Sequence, residues 1–221
     1  MSTKELIIYA MPFLLKGLGT TIAVAICAIL LGLVIGILIT VIRLVKCKPL
    51  EVVASVYVSF VRGTPFLIQI YLIYYGISAI STNISPFITG VLCLGFNTGA
   101  FLSEIIRAGV SAIPIGHIEA AKALGMTQFQ ILYRIVFPQV FNVVKPQLIT
   151  EFITDIKGTP MLSVVALVEL TRAAQRINNR KFQPIPIFIT IAIMYFIVNC
   201  ILEELVKFVD KRSKQRQVSG G

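Results

Sequence analysis

The stretch from Gly17 to Ile42 carries no charged residue between Lys16 and Arg43. A helix that crosses the hydrocarbon core of a bilayer needs about 20 consecutive apolar residues. This run meets that demand and is read as a first span over 17–42. Composition points the same way: 57% of residues are hydrophobic, 14% are charged and the mean hydropathy is +0.89. Soluble domains average about 45–50% apolar and about 25% charged. A soluble enzyme, a disordered regulator and a disulfide scaffold are thereby excluded. Within the run, the spacing of Gly32 and Gly36 allows close helix contact, as in many membrane bundles.

The next uncharged stretch, Gly63 to Ser103, is too long for one helix. Gly76, Ser78, Ser81, Asn83, Ser85 and Pro86 interrupt it. A second span is predicted at 52–75 and a third at 87–106. Arg62-Gly63-Thr64-Pro65 predicts a kink inside the second. Residues 107–138 are more polar and read as an extramembrane loop holding a short helix. Residues 139–156 contain Lys145, Pro146, Glu151 and Asp155, so hydropathy alone barely marks a span. Residues 157–183 mix an apolar piece with Arg172, Arg176, Arg180 and Lys181. A last span follows at 182–205, with Pro184 and Pro186 at its start, and then a basic tail.

Lys and Arg number 20 against 10 acidic residues, a net charge of +10. The cations are spread over loops and a tail, so no nucleic-acid partner is expected; loop cations set membrane orientation instead. With five spans and the tail inside, the inner side holds Arg43, Lys46, Lys48, Arg107, Lys122, Arg134 and the tail cations. The outer side holds Lys4, Lys16 and the five cations of 157–181, which are the misfit. Cys27, Cys47, Cys93 and Cys200 form no CxxC motif, so neither a disulfide nor a metal site is expected. His117 is the single histidine. The first 16 residues lack the pattern of a cleaved leader, and none is expected.

No phosphate-binding loop of the G-x-x-x-x-G-K-[ST] type occurs, so the chain is not expected to hydrolyse ATP. There is no nucleophile elbow and no H-E-x-x-H. The informative segment is Gly116-His-Ile-Glu119-Ala120-Ala121-Lys-Ala-Leu124-Gly125, followed by Phe137-Pro138. It reads as a small-residue helix closed by a glycine that lets the chain turn. Ala120, Ala121 and Leu124 are expected on one face, open to a cleft in another protein. An ordinary amphipathic inter-span helix is the competing reading.

This segment resembles the cytoplasmic loop signature of binding-protein-dependent ABC importer permeases. Three more segments are similar to the polar amino-acid members of that family (histidine, glutamine, arginine, cystine and opine permeases). They are Phe60-Val-Arg62-Gly63-Thr64-Pro65-Phe-Leu-Ile-Gln69, Asn97 through Gly109, and Val168-Glu169-Leu170-Thr171-Arg172. The resemblance runs from about Gly17 to Lys211. It implies an all-α membrane protein with the type I ABC importer permease fold: five transmembrane helices and a cytoplasmic coupling helix, in a single domain over 1–221. It implies a permease dimer of identical or different chains, two ABC ATPase subunits that bind ATP and Mg, and an extracytoplasmic solute-binding protein delivering an amino acid. No cofactor is expected in this chain. Glu119, Ala120, Ala121, Leu124 and Gly125 would dock in the ATPase. Location would be the bacterial cytoplasmic membrane, amino terminus outside, carboxyl terminus and 107–138 inside, and 139–156 would be a true span.

On a helical wheel Gln147, Glu151, Thr154 and Asp155 form one polar stripe. A membrane carboxylate persists when paired or facing water. Glu151 is therefore a candidate partner for the α-ammonium of an amino acid. The competing reading pairs Glu151 and Asp155 with Lys145, Lys157 or Arg62 to hold the bundle. Thr150 stands where the family usually has asparagine. Asn97 either lines the path or bonds another helix. Arg62 either exposes backbone to the path at the kink or belongs to a packing kink. Glu104 and Arg107 are spaced for an i, i+3 pair. Two departures from the family are His117, where glutamine is usual, and Gly158-Thr159-Pro160. Alternatives to amino-acid import are an importer for another small zwitterion, an uncoupled channel or structural subunit, and an intramembrane hydrolase.

Overall fold

The computed structural model describes residues 2–45, 47–80 and 84–218, with side chains through Phe208. Lys46, Ser81, Asn83 and the side chains of Lys211, Arg212, Lys214 and Arg216 lie outside that range. Among the described residues the secondary structure is entirely helical. Helix α1 is Thr3–Leu44, α2 Lys48–Gly63, α3 Phe66–Ile80 and α4 Pro86–Ser111. Then come α5 Ile115–Ala123, the short α6 Gln128–Ile131 and α7 Phe137–Gly158. The chain closes with α8 Leu170–Lys181 and α9 Pro184–Val218.

The first span is longer than its uncharged run. Helix α1 has 42 residues and starts 14 residues before Gly17. Its buried side follows one stripe through Leu6, Ala10, Leu14, Gly17, Thr21, Ala28, Gly32, Gly36 and Thr40. Lys4, Glu5 and Lys16 sit off that stripe, so charge does not end the helix. Glu5 instead closes its start, accepting from the Ser2 amide at 2.9 Å.

Helices α1 and α4 form the centre of the bundle. A Cβ on Gly32 would lie 2.8 Å from Thr98 Cγ2, and one on Gly36 2.9 Å from Leu102 Cβ. From the other side, a Cβ on Gly95 would meet Leu31 and one on Gly99 would meet Ile35. The glycine pairs are reciprocal, and each lets the facing side chain into van der Waals contact, the packing that holds helices together in lipid. Around this pair, Leu6, Ala10 and Leu14 of α1 pack with Leu170, Ala173, Ala174 and Ile177 of α8 and Ile187 and Ile191 of α9. A second cluster joins Val24 and Ala28 to Ile70, Cys93, Leu94, Leu162 and Val165.

The kink expected within 52–75 is a full break of the helix. α2 and α3 meet at a bend of 119°. Thr64 is extended (φ −120°, ψ 147°), because Pro65 excludes the helical conformation from the residue before it. By length and composition, three described helices (α1, α4 and α9) are apolar enough to cross a membrane, or four if the bent pair counts as one. α7, 22 residues long, reaches about 33 Å, and its polar residues keep it out of that set. It is preceded by a π-helical stretch, Leu132–Val136. Pro138 has no N–H to give the preceding turn, which widens there. A 3-10 segment, Thr159–Val165, leads from α7 towards α8.

Candidate functional site

Asn97 of α4, Arg62 at the end of α2, and Glu151, Thr154 and Asp155 of α7 line one cleft of about 410 Å³. Val61, Thr64, Lys157 and Met161 complete parts of its wall. The cleft opens where α2 breaks from α3, so the break exposes helix-end backbone beside the carboxylates.

That backbone is held by a residue to which the sequence reading gave no role of its own. Gln69 is 1% exposed. Its Nε2 donates to Val61 O at 2.7 Å and to Thr64 O at 3.0 Å. Val61 O is the carbonyl that Pro65, without an N–H, cannot serve, and Thr64 O is freed by the break. Its Oε1 accepts from Asn97 Nδ2 at 2.8 Å. Asn97 thus both lines the cleft and bonds another helix. In hydrocarbon every backbone group must find a partner inside the protein, and one amide side chain does this at the break. The signal in the sequence was a glutamine four residues after a proline in an otherwise apolar run.

The carboxylates differ from each other. Asp155 is 3% exposed, and its Oδ1 lies 2.6 Å from Thr98 Oγ1. Its Oδ2 has no partner. Glu151 is half-buried and faces the cleft. Among the described residues neither forms an ion pair with Lys145, Lys157 or Arg62. Lys145 lies over the Phe141 ring at 4.6 Å. Gln147 is exposed and does not line the cleft. The stripe expected on one face is therefore divided. It slants around α7 at 3.6 residues per turn, so its first member faces out and its last turns towards α4.

Arg62 does have a partner. Glu104 of α4 binds Arg107 at 2.8 Å, lies 3.6 Å from Arg62, and also pairs with Arg43 at the end of α1. One carboxylate so collects three arginines from three helices and sets Arg62 at the cleft edge. Spacing indicated the Arg107 pair; the other two arginines are 61 and 42 positions away in the chain and carry no local signal.

α5 stands apart from the cleft. Glu119 and Ala120 are exposed and Leu124 is 82% exposed. Ala121 is 2% exposed, which corrects its placement on the same face. Each residue turns the helix by about 100°, so Ala121 points back into the protein. Gly125 takes φ +75°. Its amide donates to Lys122 O at 3.0 Å and the Met126 amide to Ala121 O at 3.1 Å, the two bonds of a Schellman closure. His117 Nδ1 lies 3.1 Å from Gln139 Oε1, linking α5 to the start of α7.

On the far side, Glu169 caps α8. It accepts from the Thr171 and Arg172 amides at 2.8 and 2.6 Å and from Tyr195 Oη at 3.0 Å. Burial pushes this carboxyl above its ordinary range, while the amide bonds oppose the shift.

The model of a family described as "Binding-protein-dependent transport system inner membrane component" matches residues 28–215. The chain belongs to this family. An L-cystine transport system permease protein of Bacillus subtilis (strain 168) is 38% identical to this permease over 209 residues, 94% of this chain and 89% of the relative. A nopaline transport system permease protein of Agrobacterium fabrum (strain C58) is 33% identical over 216 residues, 93% and 90% of the two chains. A crystal structure of an amino acid ABC transporter with histidines matches the permease with a TM-score of 0.88 and 33% identity, over 96% of this chain and 99% of that one. An inward-facing methionine ABC transporter matches at TM-score 0.70 and 19% identity, covering 95% and 99%; this likeness concerns the fold alone. The permease is thus the membrane component of its system and not the ATPase.

Proposed function

We propose that this permease forms the translocation path of an ATP-driven, binding-protein-dependent importer of polar amino acids. The observation that carries this reading is the cleft, which brings Glu151, a half-buried carboxylate with no ion-pair partner among the described residues, beside Asn97 and the break between α2 and α3. An amino acid presents an ammonium that a carboxylate binds and a carboxylate that N–H donors bind. Glu151 meets the ammonium, and Arg62 and Asn97 stand at the opposite wall. Asp155, held by Thr98 Oγ1, adds a carboxyl to the wall and Thr154 a hydroxyl. The likeness to cystine, nopaline and histidine-containing amino-acid systems supports this substrate class.

α5 is the coupling helix. Exposed Glu119, Ala120 and Leu124 enter a groove of an ABC ATPase, which binds ATP and Mg, while Ala121 and Gly125 fix the helix to its own chain. A second permease subunit completes the path, and an extracytoplasmic solute-binding protein loads it. α2–α3 and α7 join α1, α4 and α9 as spans in the bacterial cytoplasmic membrane. The amino terminus is outside and 107–138 and the carboxyl terminus are inside, in keeping with the loop cations.

The test is uptake and ATP hydrolysis in vesicles holding this chain, its ATPase and a loaded solute receptor. Receptor-stimulated hydrolysis lost in Glu119→Ala, together with uptake falling at least tenfold in Glu151→Gln with assembly intact, is the expected result. Near-normal uptake by Glu151→Gln would remove Glu151 from the path.

A further inference from the structure

Two of the five cations of 157–181, out of place in a count of loop charges, share a setting in the structure. Arg176 and Arg180 of α8 and Lys16 of α1 line a cleft of about 470 Å³ between the two helices. Its floor is a close approach of backbone: a Cβ on Gly17 would lie 3.0 Å from Leu170 Cα and from Ala173 Cβ. Tyr9, Phe13 and Phe87 form the apolar wall. No carboxylate lines it. The two acids of the neighbouring elements are engaged elsewhere, Glu5 at the start of α1 and Glu169 beneath α8. The cations themselves are exposed, and none has an ion-pair partner among the described residues.

Three helices meet at this cleft. Lys16 is the last charge before the uncharged run of α1, Phe87 lies in the first turn of α4, and Arg180 falls just before α9 begins. Lining residues thus come from the last turns of α8, the first turn of α4 and the α1 helix around Lys16. Lys and Arg side chains attract anionic lipid headgroups, and aromatic rings favour the headgroup layer.

We propose that this cleft binds the phosphate of an anionic phospholipid, with the glycerol and upper acyl chains against Tyr9, Phe13 and Phe87. The inference needs only that the chain lies in a bilayer and stands apart from the transport reading. A free anion would have no use for the aromatic wall. A protein partner would meet a concave slot instead of a raised surface.

The full chain is placed in nanodiscs of equal parts phosphatidylcholine and phosphatidylglycerol, released, and its retained lipid measured by native mass spectrometry. Phosphatidylglycerol is enriched over the bulk ratio. Enrichment falls by about fivefold for each cation removed among Lys16→Gln, Arg176→Gln and Arg180→Gln. It survives in the charge-keeping set Lys16→Arg, Arg176→Lys and Arg180→Lys, which separates lost charge from lost fold. Excess inorganic phosphate leaves the lipid in place. Unchanged enrichment in the neutral triple variant overturns the proposal. So does displacement by inorganic phosphate, which assigns a free-anion site, or a loss confined to binding of an acidic solute receptor, which assigns a protein contact.

Discussion

Replacing Gln69 by leucine tests whether one side chain holds the break between α2 and α3. Leucine removes the donor to Val61 O and Thr64 O and the acceptor for Asn97 Nδ2. A buried acceptor left without a partner costs about 1–3 kcal/mol, so the two carbonyls cost about 2–6 kcal/mol together. Better apolar burial of leucine offsets about 1 kcal/mol. A net loss of about 3 kcal/mol lowers the melting temperature of a chain this size by about 6–12 °C. The assay is thermal unfolding of the purified chain in one lipid mixture, run as a cycle with Asn97→Ala. Because Asn97 acts through Gln69, Asn97→Ala costs less in the Gln69→Leu background than in the parent. A change of less than about 1 °C for Gln69→Leu, or full additivity in the cycle, refutes the argument and leaves Pro65 and packing alone to set the bend.

Three further outcomes are expected. Gly36→Leu drives a side chain into Leu102 Cβ and the Ser103 amide and lowers stability by about 1–3 kcal/mol or more; Gly19→Ala, with nothing within 4 Å, is neutral or stabilising by up to about 1 kcal/mol, both read from unfolding midpoints. Gly125→Ala forces a Cβ into φ +75° at a cost of about 1–2 kcal/mol; hydrogen exchange at the Met126 amide quickens and ATPase binding weakens, while Gly125→Asn is milder. Asp155→Asn keeps an acceptor for Thr98 Oγ1 and replaces a buried carboxyl whose second oxygen has no partner among the described residues, so stability holds or rises while uptake falls; lost stability with normal uptake would make Asp155 structural.

What the sequence reveals of this fold follows the range of each interaction. Local rules reach Pro65 and the extended Thr64, the Gly125 closure, the Glu104–Arg107 pair and the small residues of α1, because each depends on neighbours within about one helical turn. They also reach further than the first reading took them. Leu6, Ala10 and Leu14 continue the stripe of α1 below Lys16, and Leu170, Ala173, Ala174 and Ile177 mark α8 as amphipathic. Charge there marks the faces away from the core and not the ends of the helices.

The cleft has a different standing. A proline announces a break but not its angle, and the 119° bend rests on Gln69 reaching back eight residues to Val61 and across to Asn97. The polar stripe of α7 announces that polar groups recur, but not that α4 takes Asp155 through Thr98, 57 positions earlier in the chain, while Glu151 is left to the cleft and Gln147 to the surface. In a bilayer an unpartnered polar group is costly wherever it sits, so partner choice decides its role. Residues satisfied inside the bundle, such as Gln69 and Thr98, build the cleft. Glu151, half-buried in the cleft wall and without an ion-pair partner among the described residues, is the residue to which the proposed function gives the ammonium of the substrate.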